Sequence, residues 1–508
     1  MTARLLLLVA LATGCNDASP GTSVRIALSY PGDLGLDTAD VTIGQATKPT
    51  AISHELLLLL PDELDGQNLP LEIWGKSHDQ RAAHGVTTVT PKRDQTVDAT
   101  LELTVCAPRC EGDMVMGCGE PVACAMGCSS DGDAHCITAT PSNGVDATLV
   151  DTVTGTTTIA MDATFDTDTG AITDGLTRAP VKGLDAGIGY YQAAAVTADG
   201  VPLGVFVFHD LTVATGVTIR FTGTRGAVLL VGDAATIDGA IQVAGGSDGV
   251  QSTPGPGGGA GALPGRRAGG CGPGADGGRS GVEDGGGGGG GGSTSGGPGG
   301  RLALRGEGGP SCIPPLLEPL MGGAGGGRGG LGAAATSAGG GGGGGAFQLT
   351  ALGSIMITGT IDAGGAGGDA GAQTVIDAGG GGGGGAGGGI LLEAPSVVML
   401  GSGILAANGG GGGGGGGAFN TNTPAPGANG GLSTTVPPQG GAGGEELNSG
   451  GSGGGAVSPG LPDVGNDGTT NGGGGGGGIG VIVVRGTRVT LMGPSSPQAT
   501  RAPLRAPR

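Results

Sequence analysis

The chain alternates apolar and polar residues in two separate stretches, and the first runs from Ser23 to Val105. Apolar residues recur there at every second position, which is typical of strands with one buried face. Turn-forming residues around Pro31 and Asp65 separate the strands. The pattern predicts a small β-sandwich over residues 23–105. The alternating positions are Val24, Ile26 and Leu28, then Leu69, Leu71 and Ile73, then Val97, Ala99, Leu101, Leu103 and Val105.

The second stretch, residues 143–493, repeats one pattern several times. A clear copy is GAFQLTALGSIMITGTIDAGG, which begins at Gly345. Two strand pieces joined by a corner form one coil of a parallel β-helix, and a coil buries its apolar row by stacking on the next coil. We therefore predict a parallel β-helix over residues 143–493. The copies are continuous but unevenly spaced, so we expect the insertions between them to leave the helix at one corner.

Aligning the copies without internal gaps predicts which side chains face the core of the β-helix. Each row starts at the same point of the pattern. From the N-terminus, the rows are Val205, Val207, Val213, Thr215, Val217 and Ile219; Ala227, Leu229, Ala235, Ile237, Gly239 and Ile241; Phe347, Leu349, Ile355, Ile357, Gly359 and Ile361; Ile390, Leu392, Val398, Leu400, Ser402 and Ile404; and Val481, Val483, Val489, Leu491 and Gly493.

The insertions are rich in glycine, which supplies 126 of the 508 residues, while aromatic residues make up only 2%. The glycines form runs and do not recur at every third position, which excludes collagen. A pure glycine run can pack in extended threefold helices of the polyproline-II type, bonded side by side, as in certain phage tail-fibre tips and insect antifreeze proteins. The alternative is a flexible loop, typical of glycine-rich composition.

The first residues, MTARLLLLVALATGC, have the charged start, apolar run and small residues of a secretory signal. The ending LATGC resembles the bacterial lipoprotein box, so we predict a signal peptide over residues 1–14 and acylation of Cys15. The alternative is an ordinary signal peptide cut elsewhere. Residues 15–22 then form a tether above the membrane. At the other end, the proline- and arginine-rich residues 494–508 are predicted to be disordered.

Eight further cysteines indicate disulfides in an oxidising compartment. Six of them form a cysteine-rich module over residues 106–136 that is too short to build a core of its own. A zinc site is the alternative, although the spacing does not match paired zinc ligands. The connectivity of six cysteines cannot be read from the sequence. The module contains Cys106, Cys110, Cys118, Cys124, Cys128 and Cys136, and the remaining two, Cys271 and Cys312, are predicted to pair.

The charge and the motifs of the chain argue against nucleic-acid binding, metal binding and known catalytic sites. The net charge of −20 leaves no basic surface for nucleic acid. The five histidines show no ligand spacing, and no hydrolase or phosphate-binding motif is present. Calcium could bind at DTDTG near Asp166 or at DGD near Asp131, although such turns are usually only solvated. The segment GGAGGDAGA near Asp369 is a poor match to the calcium-binding nonapeptide repeat. The acids Asp238 and Asp362 are predicted to point outward without forming a ladder, and Trp74 is either a ligand platform or an ordinary packed side chain. We predict no cofactor and no metal.

The order of lipoprotein box, small β-domain, cysteine-rich module and glycine-interrupted β-helix resembles the large surface lipoproteins of myxobacteria and their relatives. The resemblance rests on LATGC, on the cysteine cluster and on the coil starts GGGGGAF and GGILL. It implies a location in the cell envelope and no defined reaction. Asp17 lies one place too late to act as an inner-membrane retention signal, which favours the outer membrane.

The sequence therefore predicts a non-enzymatic envelope lipoprotein that presents a glycine-rich solenoid at the cell surface, for structure or adhesion. Its expected partners are the membrane, through the lipid anchor, and extracellular polysaccharide or other surface proteins. Because β-helices also carry polysaccharide lyases and hydrolases, a carbohydrate-active enzyme is the alternative. A third hypothesis is a subunit that assembles through exposed coil ends.

Overall fold

The computed structural model divides the chain into two compact units, Met1–Ile137 and Thr138–Arg508, each described here by itself. The fold is almost entirely β. The only helices in the described part are the 3-10 turns Asp62–Leu64 and Ala147–Thr152. The structure describes residues 8–9, 21–31, 35–44, 46–77, 80–106, 109–111, 114–117, 122–123, 128–129, 135–136, 140–198, 200–301, 303–330, 338–373, 378–417, 422–444, 449–451, 453–454 and 461–505.

The first unit contains the predicted β-sandwich. Two sheets enclose one apolar core, and the alternating residues of the sequence pattern supply most of it, including Val24, Ile26 and Ile73. In spatial order, one sheet is Leu8–Val9, Glu55–Leu59, Ser23–Ser29 and Thr96–Glu102, and the other is Ala46–Ala51, Thr38–Ile43, Leu69–Ser77, Gln80–Val89 and Thr104–Val105. The edge strand Leu8–Val9 lies within the predicted signal peptide, whose removal would leave Glu55–Leu59 as the edge of its sheet.

The cysteine-rich module follows as short antiparallel pieces. It contains the sheet Arg109–Glu111, Met114–Met116 and Val122–Ala123, and the hairpin Cys128–Ser129 and His135–Cys136.

Among the described residues of the whole chain, no helix has the length and apolar composition needed to cross a bilayer.

The second unit is a solenoid of three long sheets, here named sheets A, B and C. Apart from the antiparallel strands at its N-terminal end, every neighbouring pair is parallel, as predicted for a β-helix. In spatial order, sheet A is Gly183–Asp185, Ile188–Ala193, Leu203–Phe208, Gly226–Val231, Ala346–Ala351, Gly389–Glu393, Val481–Arg485 and Thr500–Ala502; sheet B is Thr156–Ile159, Asp210–Val213, Ala234–Ile237, Ser354–Ile357, Ser396–Met399 and Arg488–Leu491; sheet C is Ile172–Thr173, Ala163–Asp166, Thr218–Thr222, Ala240–Gln242, Thr360–Asp362, Ile404–Ala406 and Ser495–Ser496.

The long insertions all leave the solenoid at one corner, as the sequence predicts. Each lies between a strand of sheet C and the following strand of sheet A, over residues 243–345, 363–388 and 407–480. A separate hairpin, Arg279–Ser280 and Glu283–Asp284, lies within the first insertion. The corner between sheets A and B stays short in every coil. One side of the solenoid therefore carries all of the glycine-rich chain.

Sheet A is buried on both faces, and this makes part of the predicted inward row wrong. The outer face holds four residues that were predicted to be inward, Val205, Val207, Val481 and Val483, while Phe206, Phe208, Ile482 and Val484 face the core. An all-apolar strand has no alternation to fix its register, so a one-residue error is invisible in the sequence. In the corners the error has another cause, a change in corner length between coils. In the coil that begins at Ile390, the corner between sheets A and B is one residue shorter than in the coil before, and the corner between sheets B and C is two residues longer. The inward residues there are Val397, Met399 and Leu405, and not Val398, Leu400 and Ile404, while Thr215 and Ser402 are exposed.

The C-terminal segment also differs from its prediction. Disorder over residues 494–508 is wrong for residues 495–502, because Ser495–Ser496 extends sheet C and Thr500–Ala502 extends sheet A. These strands complete a last coil, in which Ala499 packs against the solenoid core. Stacking on the coil before outweighs the polar, proline-rich composition of the segment.

Candidate functional site

The three insertions meet in a glycine bundle, whose central run is residues 379–388. Every third amide of this run donates to the same neighbouring segment, 472–478, which is the period of a threefold extended helix without internal hydrogen bonds. The bonds are Gly381 to Gly472 at 3.0 Å, Gly384 to Gly475 at 2.9 Å and Gly387 to Gly478 at 2.9 Å.

The central run has six neighbours in all. Its other amides donate to segments 363–372 and 324–327, and its carbonyl oxygens accept from segments 287–290, 341–344 and 410–416. This is hexagonal packing of polyglycine-II helices, and all three insertions contribute to it. Of the two interpretations of the glycine runs, the structure has the ordered one.

Side chains are excluded from the lattice by space. A Cβ on Gly383 would lie 2.1 Å from the carbonyl oxygen of Gly288, and a Cβ on Gly384 would lie 2.1 Å from that of Gly410. Both contacts are with backbone, which cannot rotate away. Apart from Ala386, whose methyl group is buried in the lattice, the run is therefore glycine because each helix is as close to its neighbours as backbone allows. By contrast, Gly431 in the same corner has nothing within 4 Å of its Cβ position.

A buried polar cluster lies on the outer face of sheet A. Thr350, Glu393 and Arg485 occupy one ladder position on three successive strands. Ser142 covers them and donates from its hydroxyl to Glu393 Oε1 at 2.5 Å. Gln348 Nε2 donates to Glu393 Oε2 at 3.0 Å, and Thr350 donates to the same oxygen at 2.9 Å.

The surroundings of Glu393 suit a structural role. Burial raises the pKa of its carboxyl, although hydrogen bonds from Ser142 and Thr350 and the charge of Arg485 oppose this. Arg485 also pairs with Glu318, which in turn pairs with Arg505. Glu393 is 1% exposed and Ser142 is fully buried, so no substrate reaches them. The cluster fastens the covering segments to the solenoid.

The predicted cysteine sites are only partly within the described residues. Cys15, Cys118 and Cys124 lie outside them, as does Asp131. Cys106 and Cys110 are each disulfide-bonded. Cys128 and Cys136 are cross-strand partners in the backbone of their hairpin. The connectivity of the disulfides in this module therefore remains open.

Cys271 and Cys312 form the predicted disulfide, which closes a separation of 41 residues within the first insertion. The bond lines a cavity of about 560 Å³ beside Val201, Thr224 and Met321, with glycine backbone as the remaining wall. No charged side chain lines this cavity.

Trp74 stacks on His84 in the outer face of the sandwich, with ring centroids 3.8 Å apart. Its indole N–H donates to Glu72 Oε1 at 3.0 Å, and the same oxygen lies 2.9 Å from His84 Nε2. The half-buried indole is thus packed in a small polar network. These contacts favour the second of the two interpretations, an ordinary packed side chain.

The acidic candidates do not come together. Asp166 accepts the amides of Asp168 and Thr169 in a tight turn. Asp238 accepts a hydrogen bond from Thr358, and Asp362 accepts the amide of Gly364 at 2.9 Å. Burial raises the pKa of Asp369, and it raises the pKa of Asp362 to about 6. Within the described residues, no three His, Cys, Asp or Glu side chains are grouped to hold a metal ion.

No family model matches this chain, and no curated protein or solved structure matches it. Sequence reasoning missed the Glu393 cluster, although a signal was present. Gln348, Thr350, Glu393 and Arg485 are polar residues in strands that are otherwise apolar on both faces. Such residues indicate a covered and hydrogen-bonded face.

Proposed function

We propose that the protein is a non-enzymatic envelope lipoprotein, anchored through Cys15 in the outer membrane, with a structural or adhesive role at the cell surface. The observation that carries this proposal is the hexagonal glycine bundle. The lattice of buried glycine backbone joins the three insertions into one body, so that their exposed residues form one broad surface. Such a surface suits contact with extended polymers, and extracellular polysaccharide or other surface proteins are its proposed partners.

The attachment of the bundle supports a role in display. All three insertions leave one corner of the solenoid, so the bundle lies on one side, and both ends of each insertion continue into strands of the solenoid. Buried glycine amides that are bonded on all sides are inaccessible to proteases, which need an extended, freely opening segment. This durability fits an extracellular position.

The first experiment is protease shaving of intact cells that carry the wild-type chain or Cys15→Ser. We expect the wild-type chain to be membrane-bound and to be cut on whole cells, at sites in the sandwich or tether. The Cys15→Ser chain should move to the soluble fraction, because the anchor is lost. Continued membrane fractionation of Cys15→Ser contradicts the anchor. Protection until the outer membrane is opened contradicts surface display.

A second experiment tests the non-enzymatic and adhesive parts. The soluble Cys15→Ser chain is incubated with a panel of polysaccharides, and both retention and new chain ends are measured. We expect retention without cleavage, and weaker retention when the bundle is disrupted by Gly383→Ala. The matched control is Gly431→Ala, since Gly431 has open space around its Cβ position. New reducing or unsaturated ends would replace this proposal with the carbohydrate-active enzyme.

A further inference from the structure

The two ends of the solenoid differ in how their core is closed. At the N-terminal end, the antiparallel hairpin Gly183–Asp185 and Ile188–Ala193 folds over the first coil. Beneath it Arg178 is 2% exposed, and its guanidinium donates to the carbonyl oxygens of Gly170 and Gly183, both at 2.7 Å. The apolar core is therefore sealed at this end.

The C-terminal end has no such cover in the described part of the chain. Val489 and Leu491 belong to the inward row of the last coil but remain partly exposed. Their ladder partners one coil earlier, Val397 and Met399, are 0% and 1% exposed. Met492 beside them is 69% exposed. The last strands, Arg488–Leu491 of sheet B and Thr500–Ala502 of sheet A, each have one edge without a neighbouring strand.

The ends also differ in charge. Between Arg485 and Arg505 the sequence has no acidic residue, and Arg488 and Arg501 are exposed there. At the N-terminal end, Asp162 and Asp174 are exposed, with Lys182 as the exposed cation nearby. This end shows apolar side chains as well. Met161 is 61% exposed, Leu184 56% and Val181 45%.

Sheet B is parallel from its first strand to its last. Its N-terminal edge strand, Thr156–Ile159, therefore presents the hydrogen-bonding edge that is complementary to the free edge of Arg488–Leu491. We propose that copies of this protein stack head to tail, with the basic, open C-terminal end of one solenoid on the acidic N-terminal end of the next. The contact buries the exposed core of the last coil and continues sheet B from one copy into the other.

The contact joins two different surfaces, so it does not close after two copies and leads to open chains of molecules. Contact between two C-terminal ends would instead bring like charges together, which disfavours it. Assembly of this kind does not depend on what the glycine bundle binds. Failure of the polysaccharide experiment above would leave it standing.

The test uses the full chain with Cys15→Ser, so that acyl chains do not drive association, and measures mass by light scattering and sedimentation over a wide concentration range. We expect mass to grow with concentration. Reversing the charge at the C-terminal end, Arg488→Glu with Arg501→Glu, should weaken association at least about tenfold, as should Asp162→Arg with Asp174→Arg at the other end. The control Arg267→Glu changes an exposed arginine of the first insertion and should leave association unchanged.

The deciding variant carries all four end substitutions in one chain. Head-to-tail stacking predicts that it associates again, because its ends are again complementary. Circular dichroism and sizing confirm that each variant is folded. A wild-type chain that stays monomeric at every concentration overturns the proposal. Association that the end substitutions leave unchanged also overturns it. So does a variant with all four end substitutions that stays monomeric while the chain with Cys15→Ser alone associates. Binding to a different envelope protein, without self-association, would equally overturn the proposal.

Discussion

The solenoid body and the glycine bundle both bury nearly all of their backbone, yet they do so by opposite means. In the solenoid, apolar side chains such as Phe206 and Phe347 fill the space between three sheets. In the bundle, glycine helices approach until carbonyl and amide groups meet, and hydrogen bonds replace the side-chain core. One chain can thus contain two kinds of interior. The solenoid should be destabilised when atoms are removed from its core side chains, and the bundle should be destabilised when a side-chain atom is added to a glycine.

The largest effect is expected from adding one methyl group at the centre of the bundle. Gly383→Ala places a Cβ 2.1 Å from a backbone oxygen, so the helices must separate and several hydrogen bonds are lost. We expect a cost of more than about 4 kcal/mol, since backbone cannot yield as a side chain can. Hydrogen exchange measures this loss of packing. In the variant, the amides of residues 381–388 should exchange at rates close to those of a free peptide.

The controls for this substitution are Gly431→Ala in the insertions and Gly401→Ala in a solenoid turn, both with nothing within 4 Å of the Cβ position. Each should change stability by less than about 0.5 kcal/mol. Full protection of the amides in Gly383→Ala would show that the run is not packed on six sides.

The next effect is expected from removing atoms in the solenoid. Phe206 is fully buried and its ring lies 4.9 Å from that of Phe165 and 5.1 Å from that of Tyr190. Phe206→Ala should lower the free energy of unfolding of the solenoid by about 3–5 kcal/mol, through lost burial and the cavity left behind. Calorimetry measures it, and Met356→Ala, at a 40% exposed position of sheet B, is the control. Equal effects of the two substitutions would contradict the assignment of Phe206 to the core.

The smallest effect belongs to the junction between the two interiors. Asp362 ends a strand of sheet C, just before the chain enters the bundle, and burial raises the pKa of its carboxyl to about 6. The native state holds this proton more tightly than the unfolded state, so its stabilising contribution is complete below about pH 4 and is lost as pH rises through 6.

Asp362→Asn removes this loss because the amide does not ionise. We expect the variant to be more stable than the wild type at pH 7 by about 1–2 kcal/mol, discounted for partial exposure, and similar to it at pH 4. Thermal unfolding at the two pH values measures the difference. A variant that is less stable than the wild type at pH 7 would mean that the charged carboxylate is stabilised at this junction.

Sequence reasoning worked where side chains alternate and failed where they do not. Ile355, Ile357 and Ile361 are placed correctly because the polar residues Ser354, Thr358 and Thr360 flank them, although the outward-facing Met356 is itself apolar. In LGVFVF and in the apolar part of VIVVR no alternation distinguishes the two faces, so the register of these strands could not be read from the sequence. The sequence cannot show whether the glycine runs are packed or flexible, because a packed run and a free run have the same composition. What decides between them is the set of six neighbours, which come from segments far apart in the chain.

The six neighbours of the central run also constrain how the protein is made. They extend from segment 287–290 to segment 472–478, and the acceptors of Gly381, Gly384 and Gly387 are absent until the last of these has been synthesised. Contacts between such distant segments form slowly, and domains fold from the N-terminus as the chain appears. We expect the early coils to form first and to hold the earlier glycine segments in place. The run 472–478 then enters last, so that completion of the lattice marks the end of folding.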